Sequence, residues 1–97
     1  AALRDGKVHV EETLDLHGET VESGLGRLRT FLAGARGRRC VLIVHGRGVH
    51  SEHGAPLREA VLTELLGPLS GLVHALATAA PAHGGEGATC LMLRGAS

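Results

Sequence analysis

The segment Cys40–Val44 constrains the fold of this chain more than any other stretch. It reads Cys-Val-Leu-Ile-Val, five apolar residues in a row, three of them β-branched. A continuous run of this kind is typical of a strand covered on both faces, whereas a strand with one wet face alternates apolar and polar residues. Segments with helical periodicity lie on both sides of it in the sequence. The combination predicts an α/β layer rather than an all-helical or all-β fold.

Two helices are predicted around this strand. The first has Thr20 as its N-cap and runs for about sixteen residues, although Gly24 and Gly26 weaken it by about 1 kcal/mol each relative to alanine. The second has Pro56 in its first turn and ends at Gly67-Pro68. Apolar residues recur at helical spacing in both segments: Val21, Leu25, Leu28, Leu32 and Ala35, then Leu57, Ala60, Val61 and Leu65.

Three further strands are predicted from short apolar or alternating runs. They cover residues 13–16, 72–77 and 88–93, with a weaker strand at residues 8–10. The order is therefore βαβαββ. This order predicts a two-layer sandwich, in which two helices cover a four-stranded mixed sheet.

Length and composition predict one small domain in a reducing compartment. The 97 residues suffice for one core, which we place in residues 13–97 after a lead-in of residues 1–12. No apolar run approaches the ~20 residues of a membrane span. Two cysteines fifty positions apart do not form a disulfide framework. We expect a cytoplasmic location and a chain that is a piece of a longer protein.

Charge and aromatic content bear on nucleic-acid binding. The net charge is zero, but the stretch from Leu25 to Arg58 holds seven arginines against the single acid Glu52. Such a local excess of positive charge could give the domain one face that attracts phosphate groups, although arginines on a solvated helix are also common. Phe31 is the only aromatic residue. The chain therefore lacks rings on which bases could stack, and contact with backbone phosphates is the expected mode.

The first two main strands are each followed by a short segment that contains a charged residue and a His-Gly pair. One strand ends in Asp15-Leu16-His17-Gly18 and the next in His45-Gly46-Arg47-Gly48. Parallel pairing would bring these ends side by side at the carboxyl edge of the sheet, where ligands of α/β folds usually bind. A carboxylate, two imidazoles and a guanidinium in one place suit phosphodiester cleavage, with histidine as acid or base and arginine on the phosphate.

Structural roles remain open for each of these residues. Asp15 is also a typical turn former, the two histidines suit packing at strand ends, and Arg47 suits an ordinary surface position. A metal site that combines His45 with His50 and His53 is a weaker alternative. An acyl-transfer site is disfavoured because no serine has the Gly-x-Ser-x-Gly setting. We expect no metal or other cofactor, since Asp15 is the only carboxylate in the two motifs.

Four ordered motifs give the chain a resemblance to the Smr (small MutS-related) domain family. Leu14-Asp15-Leu16-His17-Gly18 followed by Thr20-Val21-Glu22 resembles its opening motif, and His45-Gly46-Arg47-Gly48 its HGxG element. Leu57-Arg58-Glu59-Ala60-Val61 is similar to its second-helix signature, and residues 79–89 to its Gly-Gly-x-Gly-Ala-Thr segment. The loop at residues 49–54 is longer than in MutS2 domains and resembles stand-alone Smr proteins.

The resemblance implies nucleic-acid binding and, in many members, nicking endonuclease activity on DNA or RNA. It implies partners such as a MutS-like ATPase region of the same chain or the ribosome, and roles in repair, recombination or ribosome rescue. Two groups of site residues follow. The catalytic group is Asp15, His17, His45 and Arg47, and the substrate-binding group is Gly18, Gly46, Gly48, His50, Arg58, Gly84 and Gly85.

Within the leading hypothesis, Asp15 and His17 have base or orienting roles, His45 is the acid–base partner, and Arg47 and Arg58 hold phosphate. The main alternative is a non-catalytic module that holds branched DNA or structured RNA with the same loops. A third, weaker alternative is a protein-interaction domain attached to a repair ATPase.

Overall fold

The computed structural model describes residues 9–35, 39–46, 54–81 and 84–94. The order of elements is βαβαββ, as predicted, and the fold is a four-stranded mixed sheet with two helices. Short 3-10 turns at Ser70–Leu72 and Gly85–Gly87 precede the last two strands. The elements are β1 (Glu12–Asp15), α1 (Val21–Gly34), β2 (Cys40–Val44), α2 (Gly54–Leu66), β3 (Val73–Thr78) and β4 (Ala88–Leu93).

The strands lie in the order β1-β2-β4-β3. β1 and β2 are parallel, with Asp15 opposite Val44, while β4 runs antiparallel to β2 and to β3. Val44 pairs with Ala88, and Thr78 pairs with Thr89. The last residues of β1, β2 and β3 and the first residues of β4 therefore lie along one side of the sheet, which we name the strand-end edge.

The main core lies between the sheet and the two helices. Every strand and both helices contribute to it, and Phe31 and Leu76 pack against its border. Among the described helices none is long and apolar enough to cross a membrane. The buried core residues are Leu14, Leu16, Leu28, Leu32, Val41, Ile43, Leu57, Val61, Leu65, Val73 and Leu91.

A second buried cluster forms on the opposite face of the sheet, from alternate residues of β2 and β4. Cys40, Leu42 and Cys90 lie at its centre. Both cysteines are free and buried, and their sulfur atoms lie 3.4 Å apart. Burial, together with the neighbouring Cys90 thiol, raises the pKa of the Cys40 thiol to about 12. Both side chains therefore contribute to the packing of this cluster, and the Cys40 thiol is unsuited to act as a nucleophile.

The first helix begins where its sequence predicts. The Thr20 hydroxyl accepts a hydrogen bond from the backbone N–H of Ser23 at 3.2 Å, which satisfies one of the free donors of the first turn. β2 and β4 have the predicted boundaries, while β1 and β3 are each shifted by one residue. The expected strand at residues 8–10 is wrong for the two described positions: His9 and Val10 form no strand, and Val10 packs against the second cluster instead.

The two helices touch through a glycine and an ion pair. Arg29 Nε donates to Glu64 Oε2 at 2.7 Å, and this bond lowers the pKa of the Glu64 carboxyl. A β-carbon on Gly24 would lie 2.6 Å from Cδ1 of Leu57, which is fully buried. Gly26 has open space at the same position. Gly24 is therefore a packing requirement, whereas Gly26 is not.

This difference predicts opposite effects of the same substitution. Gly26→Ala should raise the free energy of unfolding by about 0.5–1 kcal/mol because alanine is the better helix former. Gly24→Ala should lower it by about 1–3 kcal/mol, since Leu57 has no room to move and overpacking outweighs the helical preference. Denaturant unfolding of the two variants measures both values. Equal stabilisation by both alanines would contradict close contact between the helices.

Candidate functional site

A tight turn follows β1 at the strand-end edge. The carboxylate Oδ1 of Asp15 accepts the backbone N–H of His17 at 2.9 Å, and Gly18 has a left-handed conformation with φ +85°. The Leu16 N–H donates to the Val44 carbonyl at 2.6 Å, and its side chain is fully buried. This anchoring leaves the side chains of Asp15 and His17 exposed. Asp15 therefore has the turn-forming contact that its residue type suggests.

The first turns of α1 support this loop through Arg27. Its Nη1 donates to the Asp15 carbonyl at 3.0 Å and to Glu19 Oε2 at 2.8 Å. The Ser23 hydroxyl donates to the other oxygen of Glu19, and these bonds from Ser23 and Arg27 lower the pKa of the Glu19 carboxyl. In the sequence, Arg27 stands out only as one of seven arginines in a basic stretch. The signal for this contact is its helical spacing, four and eight residues after Ser23 and Glu19.

The end of β2 is tied to the start of β4. The backbone N–H groups of His45 and Gly46 both donate to the Gly87 carbonyl, at 3.0 and 2.9 Å. Gly46 is left-handed with φ +86°, and a β-carbon there would lie 3.6 Å from Cδ2 of His17. Gly46 and the His17 ring are therefore neighbours, close enough that an added β-carbon would be in van der Waals contact with the ring. The expected meeting of the two strand-end motifs is confirmed for the residues that the structure describes.

The His45 side chain points inward and is only 1% exposed. Its Nδ1 lies 2.9 Å from the Gly46 carbonyl, and its Nε2 lies 2.9 Å from the Thr89 hydroxyl. A carbonyl oxygen only accepts, so Nδ1 carries the proton. In the neutral ring, Nε2 is then an acceptor and Thr89 must donate to it. The two bonds together specify one tautomer.

The environment keeps this ring neutral. Burial is the largest cause of a lowered pKa for His45, and the nearby positive charge of Arg58 adds to it, while the bond to the Gly46 carbonyl opposes it in part. Thr89 lies in the motif that carried the resemblance, but no site role was expected for it from the sequence. The pairing of two residues 44 positions apart was not visible in the sequence.

A cavity of about 340 Å³ opens beside His45, between α2 and the strands β3 and β4. Arg58, half-buried, lies in its wall, so the structure brings this predicted residue to the His45 side of the edge. The other lining residues are Glu59, Leu62, Leu76, Thr78, Glu86, Ala88 and Thr89.

The remaining predicted residues divide into two groups. Gly84 and Gly85 precede β4, both left-handed with φ +115° and +56°, and the Gly85 N–H donates to the Ala80 carbonyl at 3.1 Å. They form the turn into the strand-end edge. Arg47, Gly48, His50 and His53 lie outside the described residues. Within the described part of the chain, no three histidine, cysteine or acidic side chains are grouped to hold a metal ion.

Comparison with known proteins gives the family. The model of the Smr domain matches residues 14–94. The chain belongs to the Smr domain family. This family comprises nucleic-acid-binding and nuclease-related modules. The match includes both strand-end motifs, the start of α2 and the turn into β4.

Two solved Smr structures are similar over most of their length. The Smr domain of Thermus thermophilus MutS2 has a TM-score of 0.73 and 32% identity, over 86% of this chain and 98% of that one. YdaL, a stand-alone small MutS-related protein from Escherichia coli, has a TM-score of 0.72 and 35% identity, over 96% of this chain and 72% of that one. The search of curated proteins gave no match.

The bond between Thr89 and His45 predicts a specific cost for its removal. Thr89→Val keeps the shape but leaves Nε2 of a buried ring without a donor, so the free energy of unfolding should fall by about 1–3 kcal/mol. Thr89→Ser should retain the bond and most of the stability. Thr13→Val, at an exposed position of β1, is the control and should change stability by less than about 0.5 kcal/mol. Equal losses for the two valine variants would contradict the assignment.

The neutral His45 also predicts a pH dependence. Its folded pKa lies below the ordinary value of 6.5, so the unfolded chain binds the extra proton first as the pH falls. Stability should be complete above about pH 7 and decline as the pH falls below about 6.5, with a slope of up to about 1.4 kcal/mol per pH unit. Urea unfolding at several pH values measures this slope. His45→Gln should be less stable than wild type, but its free energy of unfolding should change less with pH over this range. An unchanged slope in this variant would exclude His45 as the source of the pH dependence.

Proposed function

We propose that this Smr domain is an endonuclease that hydrolyses phosphodiester bonds of DNA or RNA at the strand-end edge. The observation that carries the proposal is the contact between the two motifs: the exposed His17 ring stands against the backbone of Gly46, with Asp15 beside it. A glycine-lined surface allows a phosphate backbone to approach closely, and an exposed imidazole is suited to proton transfer near neutral pH.

In this proposal His17 moves the proton. The Asp15 carboxylate fixes the turn through its bond to the His17 N–H, and so sets the direction of the ring. Arg47 supplies positive charge for the phosphate and for the extra charge of the transition state, while Arg58, expected from the sequence to hold phosphate, contacts the substrate from the wall of the cavity beside His45. Gly18, Gly46, Gly84 and Gly85 shape the surface, and Gly48 and His50, which lie outside the described residues, contact the substrate in this proposal.

His45 receives a different role from the one expected from the sequence. Because the Gly46 carbonyl and Thr89 occupy both ring nitrogens, a holding role is favoured over proton transfer. We propose that His45 positions Gly46, and through it the surface that meets His17. It remains necessary for activity in this scheme, but as a positioning residue.

A second candidate is a module that binds nucleic acid without cutting it. Three hydrogen bonds within the fold favour it: one Asp15 oxygen and both His45 nitrogens already have partners. Among the candidate catalytic side chains that the structure describes, His17 is then the exposed imidazole. In either case the partner is the nucleic-acid backbone. The context of MutS2-type repair and recombination, or of ribosome rescue, belongs to the proposal, as does a cytoplasmic location.

A cleavage assay separates the two candidates. End-labelled RNA and the matching single- and double-stranded DNA are incubated with the chain in EDTA or magnesium. His17→Ala should lower the cleavage rate by about 10²–10⁴-fold because it removes the proton-transfer group. His74→Ala is the matched control, an exposed histidine at the opposite end of β3 from the edge, and should cut like wild type.

Each result has one interpretation. Cutting of RNA alone in EDTA indicates attack by the 2′-hydroxyl, while cutting of DNA as well requires an activated water. Equal rates for the His17 and His74 variants would remove His17 from the chemistry. Salt-dependent binding without cleavage at any enzyme concentration would favour the binding module.

A further inference from the structure

We infer that the cavity beside His45 is a base-binding subsite that prefers guanine. The inference rests on the proposed function and adds to it the part of the substrate that the domain reads. The cavity lies on the strand-end edge, but on the β4–β3 half, whereas Asp15 and His17 lie at the end of β1. His45 is the residue between the two halves. A strand whose phosphate lies at His17 would therefore reach the cavity with a neighbouring nucleotide.

The size and floor of the cavity suit a flat, mostly apolar group. Its volume of about 340 Å³ is at the small end of the range for ligand sites. Leu62, Leu76 and Ala88 line it, and the first two are half-buried. Phe31, the only aromatic residue, packs against the main core and does not line it. A base would rest on aliphatic side chains. The choice between bases must therefore come from hydrogen bonds to the polar atoms at the rim of the base.

The charges of the wall favour a base over a phosphate. Arg58 is the only cationic side chain among the described lining residues, the Glu59 carboxylate lies beside it in the chain, and His45 is held neutral. A phosphate inside would therefore meet the negative charge of Glu59 as well as the positive charge of Arg58. It would remain outside, at the edge itself, while the uncharged base enters.

The polar groups match guanine best. Guanine has two acceptors, O6 and N7, which Arg58 can bind bidentately, as arginine commonly does. It also has adjacent donors at N1 and the 2-amino group, which a carboxylate such as Glu59 can accept together. Adenine lacks this donor pair, and cytosine offers one amino group only. Thr78, exposed at the end of β3, adds a hydroxyl that can bind a donor or an acceptor of the base.

Mononucleotides test this without interference from cleavage, because they contain no phosphodiester bond. The ¹⁵N-labelled 97-residue chain is titrated with GMP, IMP and AMP, and amide shifts are followed by NMR. GMP should shift the signals of Leu62, Leu76 and Thr78. It should bind about tenfold more tightly than AMP, and more tightly than IMP, which lacks only the 2-amino group.

Glu59→Gln is the decisive variant. Glu59 is exposed on α2, so the variant should fold, and its preference for GMP over AMP should fall by about tenfold. Glu22→Gln changes charge equally on the exposed side of α1 and should keep the preference. Equal binding of the three nucleotides by wild type, or an unchanged preference in Glu59→Gln, would overturn the inference.

The failure of this inference is distinct from that of the proposed function. Oligonucleotide binding that shifts His17, Gly18 and Gly46 but none of the cavity residues would overturn the base-binding subsite and leave the proposed function intact. Absence of any binding, by nucleotides and by oligonucleotides alike, would overturn both.

Discussion

The carbonyl oxygen of Gly87 accepts two backbone N–H groups, from His45 and Gly46, and the arrangement of the site depends on this junction. It joins the end of β2 to the start of β4. The His45 ring strengthens the same junction through the Gly46 carbonyl on one side and the Thr89 hydroxyl on the other. These hydrogen bonds join four residues, His45, Gly46, Gly87 and Thr89, at the point where the two strands meet. Burial there makes an unpaired polar atom costly. Gly46 is thereby held in a left-handed conformation against the His17 ring.

Two motifs that look alike in the sequence have become different in the fold. The histidine after β1 is exposed, while the histidine after β2 is buried and neutral. The turn after β1 places a buried residue, Leu16, between Asp15 and His17, so the two polar side chains remain at the surface. After β2 the histidine comes immediately, and the ring takes the inward position. The exposed imidazole thus lies at one strand end, and a buried, hydrogen-bonded imidazole lies at the other.

The sequence predicted the layer and the order of elements because the signals were strong and local. A continuous apolar run set β2, helical spacing and the Thr20 cap set α1, and the register of parallel strands brought Asp15 towards Val44. What the sequence did not reveal are long-range contacts. The pairing of His45 with Thr89 spans 44 positions, so no local pattern indicated that both ring nitrogens of this histidine are hydrogen-bonded within the fold. Gly24 was read as a weak helical position, although its small size admits Leu57 of the other helix.

The buried thiol pair on the second face of the sheet has a practical consequence. Cys40 and Cys90 lie on the two strands that form the Gly87 junction, and the Cys40 thiol, with a pKa of about 12, is almost wholly protonated at neutral pH. Because both side chains are buried, alkylating reagents should reach these sulfurs only when β2 and β4 separate. The rate of labelling would then report how often the centre of the sheet opens, so the two native cysteines serve as internal probes of that local opening.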